Sequence, residues 1–141
     1  VLFEGVPSWP DYDRFWQVVD KLNVNQFYTA PTAIRALAKH PKELVEKHDL
    51  SSLKVLGTVG EPINDEAWQW YHKWIGKGKL PIVDTWWQTE TGGIMISPAG
   101  FMQDVKPTYA MHPQPGIHPV LMDDEGQEVT ETEGSGRAGL C

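Results

Sequence analysis

An α/β fold is the architecture that three features of this chain predict: a parallel-rich sheet with covering helices and a more β-rich C-terminal tail. Strand-like and helix-like stretches alternate through the first 85 residues, the pattern of βαβ units. Two of the strand-like runs are followed at once by polar turns, at residues 60–62 and 85–93. Beyond residue 98 proline and glycine recur, and only short strand-like runs remain.

Residues 1–3 read as a short strand leading into Glu4-Gly5-Val6-Pro7-Ser8-Trp9-Pro10, a stiff loop with two prolines. Asp11 is a candidate N-cap for a helix bearing Phe15, Val18, Val19 and Leu22 at i, i+3, i+4 and i+7. Residues 25–30 have strand character and end at Pro31. A second helix over 32–39 puts Ile34, Leu37 and Ala38 on one side and stops near Pro41. Residues 42–48 suit a further helical turn or two.

The run 53–59 (LKVLGTV) has the composition of a buried strand. Asn64 can cap the next helix, whose Ala67, Tyr71, Trp74 and Ile75 form one face before Gly76 and Gly78 end it. Residues 81–85 are another short strand, and 94–96 a further one. Residues 98–119 read as loop. The runs 120–122 and 128–130 flank DDEGQ, the pattern of a hairpin.

The 141 residues suit one ordinary domain, and 40% of them are hydrophobic, enough for a core. The net charge of −7 argues against nucleic-acid binding, which needs a clustered basic face. Most of that charge lies in residues 123–141, with six acids against Arg137. No apolar run approaches the roughly 20 residues of a membrane span. A single cysteine, Cys141, excludes an internal disulfide framework and a cysteine-based zinc site, so a reducing, cytoplasmic setting is expected. The five histidines are scattered without metal-ligand spacing and read as surface or capping residues. The acids 123–125 read as a solvated turn rather than a cation cluster.

Ligands of parallel α/β sheets bind beyond the carboxyl ends of the strands. At the first such end, Gly57-Thr58-Val59-Gly60-Glu61-Pro62, the glycines permit close approach to the backbone and Glu61 would face the crevice. By residue chemistry alone this is equally a plain strand-to-helix turn with a solvated Glu. The second end, 84–93 (DTWWQTETGG), is more pointed. Adjacent tryptophans offer flat walls, and the Thr, Gln and Glu groups can orient a ligand. Thr89 and Glu90 carry the oxygens that Mg²⁺ takes alongside substrate phosphates. The competing reading is two core tryptophans beside a polar turn.

Residues 3–7 (FEGVP), 28–35 (YTAPTAIR), 59–64 (VGEPIN) and 84–93 together resemble the AMP-forming acetyl-CoA synthetases of the adenylate-forming superfamily. The resemblance runs to about residue 126, and the double tryptophan is its most specific element. It implies that Gly60, Glu61 and Pro62 line the adenine side of a nucleotide, with Asp84, Thr85 and Trp86. Gln88 and Thr89 would reach the ribose and α-phosphate, Glu90 would bind Mg²⁺, and Val59 and Trp87 would wall an acetate pocket. An indole there excludes longer acids by bulk, which discriminates better than the roughly 1–3 kcal/mol that each methylene is worth. CoA contacts are implied at the FEGVPSWP loop (residues 3–10), where Ser8 stands in place of the family's usual Asn. Residues 106–116 (KPTYAMHPQPG) depart from the family pattern and receive no assignment.

The implied reaction joins acetate to ATP, giving acetyl-AMP and pyrophosphate, and then transfers the acetyl group to CoA with release of AMP. Such chemistry rests on positioning and charge neutralisation and needs no side-chain nucleophile. The family's phosphate loop would precede residue 1, and its ribose-binding Asp and small C-terminal domain would follow residue 141. The chain therefore reads as an internal fragment, residues 1–141, of the large N-terminal adenylation domain, inactive alone and completed by the rest of its parent chain. Two other readings remain at this point: a propionyl- or other short-chain acyl-CoA synthetase, and a non-catalytic nucleotide-binding module.

Overall fold

The computed structural model describes residues 1–99, 105–129 and 137–140. Its centre is a three-stranded parallel sheet of β1 (Gln26–Thr29), β2 (Val55–Thr58) and β3 (Ile82–Asp84), in that spatial order. The helices are α1 (Arg14–Leu22), α2 (Pro31–Ala38), α3 (Glu43–Glu46) and α4 (Asp65–Trp70), the last continuing into a π-helical turn, Tyr71–Ile75. The expected helix-covered parallel sheet is therefore present, and each expected helix forms within three residues of its reading.

Strand alternation sorts the side chains into two rows. Phe27, Leu56 and Ile82 stand in register on one face. Against them pack Trp16 and Val19 of α1, Ile34 and Leu37 of α2, Val45 of α3, Ala67 and Trp68 of α4, and Tyr71 and Ile75. Every helix thus feeds one apolar cluster on one side of the sheet. Phe27 lies 5.4 Å from Trp16 and 6.3 Å from Tyr71, ring centre to ring centre. The Tyr71 hydroxyl donates to the Phe27 carbonyl at 3.0 Å, and burial pushes its pKa far upward. The opposite row is Tyr28, Gly57 and Val83, and no helix lies over it among the described residues.

Local chemistry explains the helix limits. Asn23 ends α1 in the left-handed conformation (φ 50°, ψ 49°), a role Asn accepts readily. Pro31 opens α2, where its missing N–H costs nothing. Asp65 and Glu66 place negative charge in the first turn of α4.

Helix α1 starts at Arg14, so Asp13 rather than Asp11 precedes it. The Asp11 carboxylate binds the neighbouring Tyr12 N–H instead, at 2.7 Å. Asp13, 2% exposed, turns inward to meet Lys47 Nζ at 2.6 Å, His48 Nε2 at 2.8 Å and Gln17 Nε2 at 2.6 Å. Burial raises its pKa, and these partners together outweigh burial and hold it below the usual carboxylate value. His48 also faces Asp20, at 3.5 Å. It is therefore a tertiary link from the end of α3 to α1, not the surface residue its spacing suggested.

Three strand expectations change. Residues 1–3 lie beside β1 without pairing to it; the chain folds back at Gly5, and Phe3 packs edge-on against Phe15 at 5.7 Å. Residues 94–96 form single bridges from Ile96 to Trp86 and Pro113 rather than a strand; the second is carried by the Ser97 N–H on the His112 carbonyl at 2.9 Å and the Gln114 N–H on the Met95 carbonyl at 2.7 Å. The hairpin at 120–130 is reduced to one bridge, Met122 to Glu128. Its flank becomes β4 (Pro119–Met122), which pairs antiparallel with β5 (Arg137–Leu140); Thr130 lies outside the described residues. In the turn between, the Asp123 carboxylate accepts the N–H groups of Glu125 and Gln127, at 3.0 and 2.7 Å.

Candidate functional site

A cleft of about 450 Å³ opens at the carboxyl ends of β2 and β3. Three loop segments wall it. Gly60, Glu61 and Pro62 follow β2, and residues 84–88 end β3 and run beyond it. Thr108, Tyr109 and Ala110 form the third wall.

The first wall needs glycine at position 60, whose φ is +96°. Glu61 does not point freely into solvent. One carboxylate oxygen accepts the Thr32 N–H at 3.0 Å and bonds the Thr32 hydroxyl; the other takes Arg35 Nη2 at 2.8 Å. Ala30 and Pro31 offer α2 no side-chain cap, so a carboxylate from a different loop caps that helix instead. The Thr32 hydroxyl and the Arg35 guanidinium hold Glu61 below the ordinary carboxylate pKa. The loop 60–62 is thereby clamped onto α2.

The second wall is built by hydrogen bonds between strand ends. Buried Thr58 donates its hydroxyl proton to Asp84 Oδ1 at 2.6 Å. The Thr85 hydroxyl donates to the Thr58 carbonyl at 2.7 Å, and the Thr85 N–H reaches the same oxygen at 3.0 Å. Asp84 is 8% exposed, and burial raises its pKa, partly offset by Thr58 and the Thr85 backbone. The Trp86 backbone is pinned both ways to Ile96, N to O at 2.8 Å and O from N at 3.2 Å. That leaves the Trp87 ring, 42% exposed, at the cleft. Gln88 opens a turn closed by the Thr91 hydroxyl, which accepts the Gln88 N–H at 3.0 Å and donates to the Gln88 carbonyl at 2.8 Å.

Eight residues singled out from sequence therefore meet in one cleft: Gly60, Glu61, Pro62, Asp84, Thr85, Trp86, Trp87 and Gln88. Thr89 and Glu90 sit exposed in the turn just past Gln88 and are not part of its lining. Val59 sits at the end of β2, its N–H on the Thr29 carbonyl at 3.2 Å, also outside the lining. Ser8 lies exposed in the 4–12 loop and does not line it.

Sequence reasoning missed the third wall. Thr108 is held at φ 71°, rare for a Thr, and the Lys106 ammonium lies 4.1 Å from the Tyr109 ring centre. The signal was an isolated Tyr in a Pro-rich loop, which only tertiary folding brings opposite Trp86.

Glu90 and Thr89 have no side-chain hydrogen-bond partner among the described residues. Their oxygens suit a hard cation, which prefers carboxylate and hydroxyl ligands shared with phosphate. The cleft itself contains an aromatic wall, two carboxylates and amide groups, with no Lys or Arg among its lining residues. Its Trp86, Trp87 and Tyr109 side chains offer flat surface, and its Thr, Gln and carboxylate groups offer polar contacts.

The chain is 58% identical to the acetyl-coenzyme A synthetase of Gemmatimonas aurantiaca over 92% of its length, and 62% identical to that of Rhodobacter capsulatus over 89%. It spans about a fifth of those relatives, 20% and 19%. The crystal structure of Brucella canis acyl-CoA synthetase superposes on 86% of the chain and 22% of its own, with a TM-score of 0.73 and 28% identity. The family model described as AMP-binding enzyme matches residues 1–138, and the chain belongs to that family.

Proposed function

We propose that these residues supply the nucleotide-base and acyl-acid walls of an acetate–CoA ligase. The reaction takes acetate and ATP to acetyl-AMP and pyrophosphate, then acetyl-AMP and CoA to acetyl-CoA and AMP. One observation carries this reading: the loops after β2 and β3 converge on a single cleft containing eight of the residues expected there. The relatives' name supports acetate as the acid.

In this assignment Gly60, Glu61, Pro62, Asp84, Thr85 and Trp86 border the adenine, and Gln88 and Thr89 reach toward the ribose and α-phosphate. Val59 and Trp87 wall the acid, and Ser8 contacts CoA. Glu90, with Thr89 beside it, would hold Mg²⁺, which neutralises phosphate charge when bound. The residues of this chain bind, orient and exclude water, which is the larger part of phosphoryl-transfer catalysis. Among the described residues that line the cleft there is no Lys or Arg for the triphosphate, and the chain spans about a fifth of its relatives; both support a site completed by the rest of the parent chain and an isolated chain that does not turn over. Among the described residues no helix is long and apolar enough to cross a membrane, and the proposed setting is the cytoplasm.

Acetate-dependent ATP–pyrophosphate exchange by the full-length protein tests the reading, run with acetate, propionate, butyrate and no acid. Exchange strongest with acetate supports it. Exchange favouring longer acids removes the acetate assignment, and none with any acid removes the ligase reading. Trp87→Gly is expected to move the optimum to longer acids; an unchanged profile would take Trp87 out of the acid pocket.

A further inference from the structure

A groove of about 210 Å³ opens between α2 and α4 and shares no lining residue with the cleft. Arg35, Ala38 and Lys39, of α2 and its C-terminal cap, meet Glu66, Ala67 and Trp70 of α4 across it. Helical spacing sets the two walls: 35, 38 and 39 share one face, and 66, 67 and 70 another. Ala38 and Ala67 carry only a methyl group, which leaves space between their longer neighbours. Trp70 is braced from inside by Trp16, ring centres 6.4 Å apart, and supplies a flat apolar wall. Sites for drug-sized ligands run from roughly 300 to 1,000 Å³, so an occupant here is smaller.

The charges in the groove are unsatisfied within the chain. Arg35 uses both protons of Nη2, one on Glu61 Oε2 at 2.8 Å and one on Thr32 Oγ1 at 3.0 Å. Those bonds fix the guanidinium and leave its other three N–H groups without an acceptor among the described residues. The Lys39 ammonium and the Glu66 carboxylate line the same groove, yet neither forms an ion pair with the other or with any described residue. Two cations and one carboxylate around an apolar floor complement a molecule with a carboxylate, an ammonium and an apolar body. A simple anion would meet repulsion from Glu66, and a simple cation repulsion from Arg35 and Lys39.

We propose that the groove between α2 and α4 binds a free α-amino acid with an apolar side chain. Its carboxylate lies on Arg35 and Lys39, its ammonium on Glu66, and its side chain against Trp70 and the two alanines. Glu61 and Thr32 position the guanidinium in advance, so little ordering is lost when it takes the carboxylate. The same guanidinium clamps the 60–62 loop, so the occupant touches a side chain that also supports a wall of the cleft. The proposal does not depend on what the cleft itself binds.

Isothermal titration calorimetry of the full-length protein with L-leucine, in the absence of nucleotide, tests this. Saturable binding is expected with a dissociation constant of about 1 mM or below. The analogue without an ammonium, 4-methylpentanoate, and the one without a carboxylate, 3-methylbutylamine, should each bind at least about fivefold more weakly. Lys39 and Glu66 are exposed, so Lys39→Met and Glu66→Gln should leave the thermal midpoint unchanged while weakening leucine about 3- to 5-fold each. Glu66→Gln should not weaken 4-methylpentanoate, a selectivity that general loosening of the fold would not produce. No saturable leucine binding, or binding that both variants leave intact, overturns the site. Equal affinity for leucine and 4-methylpentanoate overturns the amino-acid assignment. Each of these failures leaves the ligase reading in place, because that is decided by pyrophosphate exchange.

Discussion

On the helical side of the sheet, Leu56 and Ile82 are enclosed by apolar groups from all four helices and the π turn. At the carboxyl ends of the same strands, Thr58, Asp84 and Thr85 are held by individual hydrogen bonds of 2.6–2.7 Å. The first arrangement is redundant: many small contacts share the load, and no single one sets the geometry. The second is singular, because each proton has one acceptor, and moving one group leaves a specific partner unsatisfied. Stability should therefore respond to changes beneath the sheet, and ligand preference to changes at its end.

Leu56→Ala is expected to separate the two regions most sharply. Leu56 is fully buried, and its truncation should cost about 2–5 kcal/mol of stability. Chemical denaturation should register that loss, while nucleotide affinity of the remaining folded protein stays within about twofold. A matching loss of affinity would mean that core and cleft are one coupled unit.

Asp13→Asn lies on the helical side yet breaks a polar link, and should cost on the order of 2 kcal/mol near neutral pH by unpairing Lys47 and His48. Its pH dependence has a definite sign. The folded-state pKa of Asp13 is depressed, so its contribution is complete above the unfolded carboxylate value of about 3.9 and fades as pH falls through the folded value. Denaturation midpoints of the two proteins should converge upon acidification below about pH 4. Parallel curves would remove Asp13 from the acid response.

Gly57→Val tests the singular region from the opposite face. The added branches must displace the Tyr28 ring, which a Cβ at 57 would meet at 2.6 Å, so stability should fall by about 1–3 kcal/mol from overpacking. An unchanged denaturation midpoint would show that the Tyr28 ring yields at no cost.

Arg35→Met should have the smallest effect. The Arg35–Glu61 pair is partly exposed, and such pairs contribute little to folding. The thermal midpoint should hardly move, while freeing the 60–62 loop weakens nucleotide binding by on the order of twofold. A larger shift in the midpoint than in affinity would reverse the assignment of this clamp to the cleft.

What could be read from sequence divides along the same line. Helices α1 and α2 and strands β2 and β3 were legible because apolar spacing and Pro and Gly punctuation act over a few residues. The residues that follow β2 and β3 were legible as candidates for the same reason: Gly-Glu-Pro and Trp-Trp are local oddities. The tie between Asp13 and His48, 35 residues apart, was not legible, nor was Tyr28 lying over Gly57 to reach Thr85. Nothing local marks Glu61 as the cap of α2, or Tyr109 as a wall of the cleft. These contacts depend on which distant segments the closed sheet brings together. The strand expected at 94–96 failed for the reverse reason, since its local composition was favourable while Trp86 and Pro113 meet it only at single bridges.

The strand order β1-β2-β3 also bears on how the molecule is built. Among the described residues, each strand of this sheet joins beside the one translated just before it, and none is inserted between two that are already paired. A chain emerging from the ribosome can add each strand at an open edge in order of synthesis, with its helix closing over the same apolar side. The bonds of Thr58 to Asp84 and Thr85 wait for β3, and the wall at 108–110 follows later still.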